Sequence, residues 1–590
     1  MRIGLHAQEL YNIKCGPSAL YCGLSAKIAA LTQRPLMTVF QTLAAPYKWV
    51  ERIIVLREKQ EYSFHTVLAF ATFVGIMRLI LEFMVCSEGL FASVAGYLSY
   101  ITFYLMNAFL YVAAIRGLID VEWRTSMNVV LIGVFVGIFP PLIDTLALGA
   151  HNFRYAYNFS WLDGWAWLIY NPDAHISPGE AATLWFTILL LPLYVWVKTR
   201  SAGRAATALV AGYVVVFFYV TVVASAAASF LRAGFVPMLR ATEVPMIDSL
   251  ERAWRASSDP SEIHEIAQRL VKLRFRYDEL AIALTTGAQV AVAVLCYYLL
   301  NPRLARHLLL RGGHSLPFAL LTLLGAAATR HFSPEIDTGT WGGLVPAAVM
   351  ALCVFHAFNV AIVQNDHFDR DEDRRGPLPY LDAQDMHFFN GSMWLLAAAV
   401  FSVRPRVGAL LVVFQIVSIL YNYDFYRGKR FFPANYKIEA IWGWSAFMIG
   451  VYTVLHPRMM APDPVLVMSF LVFGGWSIFN CFKDYKDIRE DYHAGVQTAY
   501  VLLKRRGRSL RSFHLWIRRS MAAGLCIPLI ALHIWGVPLA TVAAVGGVSI
   551  AALWYTLGRG PTNATVEATL GIVSSYILAL VVLFEVGVVR

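Results

Sequence analysis

Apolar runs recur along most of the chain, each broken by a polar connection. In the first 300 residues they cover 66–85, 90–114, 128–148, 183–197, 206–230 and 280–300. Nine more follow, at about 315–329, 342–364, 391–403, 407–421, 438–455, 463–482, 520–535, 538–556 and 568–588. Most can cross a hydrocarbon core about 30 Å thick as helices. A lipid core offers backbone N–H and C=O groups no partner outside the segment itself, so the spans must be helical or close into a barrel. The run lengths therefore predict an all-α polytopic membrane protein, with a five- or six-helix module over residues 61–300 and a nine-helix transmembrane bundle over 301–590.

Three polar stretches interrupt this texture. Residues 149–182 are rich in Trp and Tyr, as expected of a connection resting in the headgroup layer. Residues 232–278 form the longest polar segment, where Ser257-Ser258-Asp259-Pro260 precedes a mixed-charge run and predicts a capped surface helix. Residues 1–60 mix apolar positions with Arg2, Lys14, Lys27, Arg34, Lys48, Arg52, Arg57 and Lys59. That pattern predicts a cytosolic or interfacial leader and no cleavable signal.

Composition agrees, with 58% hydrophobic and 15% charged residues among 590. The net charge of +11 would suggest nucleic acid in a soluble domain. Here most Lys and Arg sit in short loops between spans, so no nucleic-acid partner is expected. In the second half the connections after the second, fourth, sixth and eighth apolar segments together hold most of the basic residues, which predicts that those connections face the cytosol, in the simplest case across a bacterial inner membrane. The seven cysteines are scattered without a CxxC pair and read as reduced and structural. Arg78 and Glu82, four apart within a span, predict an ion pair, and Asp144 a helix-end carboxylate facing water.

Two clusters carry the chemistry. The second apolar segment of the second half runs into Asn365-Asp366-His367-Phe368-Asp369-Arg370-Asp371-Glu372-Asp373, and the sixth into Asp484-Tyr485-Lys486-Asp487-Ile488-Arg489-Glu490-Asp491. Both place aspartates at i, i+3 and i+7, within an arc of about 60° if the helix continues at about 100° per residue. Six carboxylates brought together repel one another by about 1 kcal/mol per close pair even in a watery medium. A hard divalent cation that also ligates phosphate relieves this, and Mg²⁺ is the natural choice. Two such clusters at one membrane face predict a diphosphate site above an apolar cavity. The alternative for either cluster alone is a solvated acidic helix end.

Asn365, Asp366, Asp369 and Asp373 match the NDxxDxxxD motif of the UbiA family of intramembrane prenyltransferases, and Asp484, Asp487 and Asp491 its second DxxDxxxD motif. Ala494-Gly495-Val496-Gln497-Thr498 is similar to the family's Gly and Thr downstream. Tyr421 with Arg427, Lys429 and Arg430 resembles its tyrosine and basic loop. The resemblance covers about residues 301–590. It implies that the six aspartates hold Mg²⁺, that Asn365 supports the site, and that Tyr421, Arg427, Lys429 and Arg430 bind substrate. It further implies an isoprenyl diphosphate donor, a hydrophobic aromatic or lipid acceptor within the bilayer, and release of diphosphate. The family's repeated Arg-Pro pair after the first motif is replaced by Arg374-Arg375-Gly376-Pro377-Leu378-Pro379, which leaves donor and acceptor open. Phosphoribosyl transfer to a polyprenyl phosphate is an alternative on the same fold. A cation transporter is a non-enzymatic alternative, but transporter sites usually lie at the bilayer midplane, not at helix ends. No motif identifies the first half.

Overall fold

The computed structural model describes residues 48–85, 94–148, 177–218, 252–253, 282–333, 344–368, 381–423, 426–455, 459–485, 487–534, 536, 538–559 and 562–585. Almost all of the polar segment 232–278, most of the aromatic connection 149–182, residues 1–47 and Asp369 to Asp373 lie outside them. The described residues contain helices and no strands. In the first half these are α1 (48–58), α2 (Phe64–Val85), α3 (Val94–Leu118), α4 (Trp123–Val134), α5 (Phe139–Leu148), α6 (Pro178–Thr199), α7 (Ala202–Phe217) and α8 (Ile282–Leu300). The second half contains α9 (Pro302–Phe332), α10 (Leu344–Phe368), α11 (Ala383–Val403), α12 (Pro405–Asn422), α13 (Ala434–Val454) and α14 (Asp463–Lys483). Two short helices, α15 (Ile488–Ala494) and α16 (Ala499–Arg505), precede α17 (Leu510–Ile534), α18 (Leu539–Gly558) and α19 (Asn563–Glu585). Among the described residues, twelve helical segments are long and apolar enough to span a membrane, which makes this an integral, multi-pass membrane protein.

The predicted run 128–148 is broken in the structure. α4 passes through a 3-10 turn, Phe135–Ile138, into α5, because Pro141 has no N–H for the carbonyl of Gly137 four residues back. That carbonyl accepts instead from Arg78 at 3.3 Å and the Tyr104 hydroxyl at 3.1 Å. Arg78 also pairs with Glu82, and Glu82 with the Tyr100 hydroxyl. The expected ion pair is therefore present, fully buried, within a wider network. The expectation for Asp144 is corrected. It is buried, and its Oδ1 accepts from the Gly179 N–H at 2.6 Å in the first turn of α6, where the helix dipole favours negative charge.

In the second half α9 is central, packed against α13, α10 and α19. Its approach to α13 is very close. A Cβ on Gly325 would run into the Phe447 carbonyl oxygen, and one on Gly450 into that of Thr322. The Thr322 hydroxyl donates across the same seam to Ala446 O at 3.0 Å. Small residues supply contact between membrane helices because lipid is as apolar as their side chains. Gly450→Ala should therefore push the helices apart and cost about 1–3 kcal/mol. Thermal unfolding of purified protein in detergent would show it, and an unchanged midpoint would mean that the seam is not under such tight constraint.

Candidate active site

The first motif begins on the last turn of α10. Asp366 is buried there, with Oδ2 2.6 Å from His307 Nε2 and Oδ1 paired with Arg311. Both partners lie on α9, four residues apart, so one helix face grips the carboxylate from two sides. Sequence reasoning missed them because it started that span at residue 315. The available signal was the i, i+4 spacing of two basic groups just before it. Asp369 and Asp373 are outside the described residues.

The second motif departs from the single helix face expected of its spacing. α14 ends at Lys483, Asp484 caps it, Asp487 is the residue before α15, and Asp491 lies within α15. The carboxylates therefore sit on a turn between two helices. Packing of Tyr485 against the rings of His514 (4.3 Å) and Tyr500 (4.7 Å) draws that turn onto α16 and α17 and overrides helical continuation. The glycine and threonine downstream have local structural roles. Gly495 closes α15 at φ 75°, a left-handed conformation that suits glycine. The Thr498 hydroxyl caps α16, accepting from Val501 N–H at 3.4 Å.

The basic loop joins the two motifs. Arg427, at φ 46°, donates to the Phe368 carbonyl at the end of α10 at 3.2 Å, and the Arg430 carbonyl accepts from Gln497 N–H, just beyond the second motif, at 2.9 Å. The half-buried Lys429 between them feels the charges of both Asp366 and Asp491. Burial and the neighbouring Arg430 push its ammonium down to about 8. The Asp484 carboxyl is driven well above the ordinary carboxylate range by burial. Lys483 opposes the rise, while Glu439 and Asp491 add to it.

A further acidic residue, also unforeseen, organises this side. Glu439 of α13 accepts from the Tyr421 hydroxyl and from Lys483 Nζ at 2.9 and 3.2 Å. Asn435, one turn earlier, donates to Asp484 at 3.4 Å. Tyr421 is thus fixed beside the second motif rather than projecting freely. Asn365 is half-buried at the end of α10. Among the described residues no three carboxylate, histidine or cysteine side chains converge closely enough to hold a metal ion.

An apolar groove with an internal volume of about 110 Å³ runs along α14, lined by Leu324, Met468, Trp476, Phe479, Leu525 and Tyr576 among others. Phe479 is five residues before Asp484, about 7–8 Å along the helix at 1.5 Å per residue. Helix-end carboxylates, a basic loop and an adjoining apolar groove define the class, a polytopic membrane protein with a polar site at the end of its helical bundle.

The sequence of this same region is similar to a known family. Residues 315–573 match the model of the UbiA prenyltransferase family. Among solved structures, a digeranylgeranylglyceryl phosphate synthase in membranes is similar at 16% identity, with 49% of this chain and 99% of that one covered and a TM-score of 0.34. A UbiA homologue from Archaeoglobus fulgidus, bound to DMAPP and Mg²⁺, is similar at 14% identity, with 48% and 99% covered and a TM-score of 0.32. A comparison with curated proteins gave no match.

Proposed function

We propose that residues 301–590 form a Mg²⁺-dependent enzyme that transfers a prenyl group from an isoprenyl diphosphate to a lipophilic aromatic or lipid acceptor within the membrane. The observation that carries this reading is the meeting of both acidic motifs at the 427–430 loop, in a region that matches a prenyltransferase family. Residues 1–60 are the cytosolic or interfacial leader and 61–300 an N-terminal multi-span module. The motifs face the cytosol, on the inner membrane if the source is bacterial.

The donor set suits a hard divalent cation. Asp366, Asp369, Asp373, Asp484, Asp487 and Asp491 offer only oxygen ligands, and the Asp484 carboxyl is pushed up first by burial and then by the like charges of Glu439 and Asp491, a setting that a cation would relieve. When bound, Mg²⁺ supplies positive charge to the leaving diphosphate. Asn365 holds the geometry of the first motif. Arg427, Lys429 and Arg430 bind the phosphate oxygens, and Tyr421 fixes the donor's head. The allylic C–O bond breaks, its electron pair leaves on diphosphate, and an acceptor ring carbon or hydroxyl takes the prenyl carbon and releases a proton. The apolar groove excludes water from the reacting carbon.

Purified full-length protein in nanodiscs should release diphosphate from labelled prenyl diphosphates, and EDTA should stop it. Release from a phosphoribosyl diphosphate alone would overturn the prenyl assignment. Donor affinity should also depend on pH through Lys429. Its ammonium is charged below about 8 and neutral above it, while a bound anionic donor holds the proton to higher pH. Affinity should therefore fall as pH rises through about 8, by about tenfold for one charge-assisted bond. Lys429→Arg should flatten that fall, and an equal fall in the arginine variant would exclude Lys429 as its source.

A further inference from the structure

The region matched to the family begins at residue 315, yet one wall of the site is held from outside it. α11 opens with a capping box, in which the Asp382 carboxylate accepts from Asp385 N–H at 2.9 Å and Asp385 from Asp382 N–H at 3.0 Å. These two carboxylates are met from the first half of the chain. Arg124, at the start of α4, pairs with Asp382 through one guanidinium nitrogen, and its other lies 3.7 Å from Asp385. Tyr297 of α8 donates its hydroxyl to Asp385, and Asn301 Nδ2 approaches the same oxygen at 3.3 Å. The Asp385 side chain is 1% exposed, so its charge depends on these partners.

Around this polar centre the contact is closely built. Phe64 N–H donates to Gln384 Oε1 at 2.7 Å, the rings of His65 and His387 lie 4.2 Å apart, and Tyr297 stacks on Phe388 at 3.9 Å. Two turns further along α11, Asn390 accepts from Gln364 Nε2 at 2.6 Å and donates to the Tyr423 hydroxyl at 3.0 Å. Gln364 immediately precedes Asn365 and Asp366, and Tyr423 stands four residues before Arg427. α11 is therefore a shared strut. One of its edges is gripped by the N-terminal module, and the other bonds to the first motif and the approach to the basic loop.

We propose that Arg124 is a positioning residue, acting from the N-terminal module through α11 to set Gln364, Asn390 and Tyr423 beside the first acidic motif. The module is on this account a working part of the site's scaffold, not a separable appendage. Arginine suits the task because its planar fork can address two carboxylates at once, which a lysine ammonium cannot do with the same geometry. The consequence for catalysis rests on the prenyl-transfer reading, but the positioning itself does not.

Hydrogen–deuterium exchange on the full-length protein in nanodiscs tests it without any substrate. Arg124→Gln should raise exchange in residues 383–390 and in 361–368 by about tenfold, as a locally loosened unit would. Arg124→Lys should fall between the variant and wild type. Arg116→Ala, which removes an exposed pair with Asp120 in the same module, should change neither segment. If Arg124→Gln does not give monodisperse protein, Asp382→Asn, which keeps the capping oxygen, is read in the same way. Wild-type exchange in both segments would overturn the proposal, and so would a rise confined to 383–390, because the link to the motif would then be missing. With prenyl diphosphate as substrate, turnover per folded molecule should fall in Arg124→Gln while donor KM stays unchanged. A loss of folded protein at unchanged turnover per molecule would mark a purely structural contact and overturn positioning. If wild-type protein releases no diphosphate from any prenyl donor, the functional reading falls, and the exchange result still decides the role of Arg124.

Discussion

Asp484→Ala and Asp366→Ala should each lower Mg²⁺-dependent diphosphate release by about a thousandfold, with full-length protein still purifying as a folded species. The two substitutions act from opposite sides. Asp484 lies at the end of α14, in a carboxylate-rich setting with Glu439 and Asp491 near it and Asn435 donating to it. Its removal takes away a proposed metal ligand and a buried carboxylate that Glu439 and Asp491 oppose, so the fold should tolerate it well. Asp366 is buried between His307 and Arg311, and its removal takes the anion from two basic partners. Asp366→Asn is the gentler probe because it keeps a polar group of the same shape while removing the charge. Turnover would be measured over a range of Mg²⁺ concentrations with a labelled prenyl diphosphate. If Asp484→Ala and Asp366→Asn both retained wild-type turnover, the two-motif site would not be where the chemistry occurs.

The second large effect is expected at Glu439, a residue outside both motifs. Its carboxylate is nearly buried and serves Lys483 and Tyr421 together. Removing Glu439 leaves Lys483 without its partner, and because the lysine side chain is 32% exposed the cost should be about 1–3 kcal/mol, below that of a fully buried pair. Glu439→Ala should therefore lower the unfolding midpoint in detergent markedly. It should also reduce activity, because Tyr421 and the Lys483–Asp484 corner lose their common anchor. Glu439→Gln keeps an acceptor for the Tyr421 hydroxyl and should lose less stability. Equal midpoints for wild type and Glu439→Ala would show that Lys483 finds solvent or another carboxylate at no cost, and the anchoring role would be wrong.

Much of this was legible in the chain. Each apolar run of the second half falls, over most of its described residues, on a helix observed there, because hydrophobic length is a local property that a bilayer reads directly. The acidic motifs, the Tyr421 to Arg430 stretch and the Gly495 to Thr498 segment were visible as residue types at fixed spacing. Spacing misled where it assumed a continuous helix. The i, i+3, i+7 pattern of the second motif spans a break at Asp484 to Asp487, where Tyr485 answers to rings on α16 and α17. The break at Gly137 had a local cause in Pro141, but the groups that satisfy the freed carbonyl, Arg78 and Tyr104, could not be read from it.

What the sequence determined by itself is the membrane class, the apolar runs and the inventory of charged groups at their ends, since each depends on neighbours along the chain. Only the tertiary structure decided that Asp366 is held by His307 and Arg311, that Glu439 joins Tyr421 to Lys483, and that Arg124 reaches Asp382 from the other half of the molecule. These pairings join helices that meet only after the bundle assembles. Burial there turns contacts between charges far apart in sequence from negligible in water to large in a low-dielectric interior.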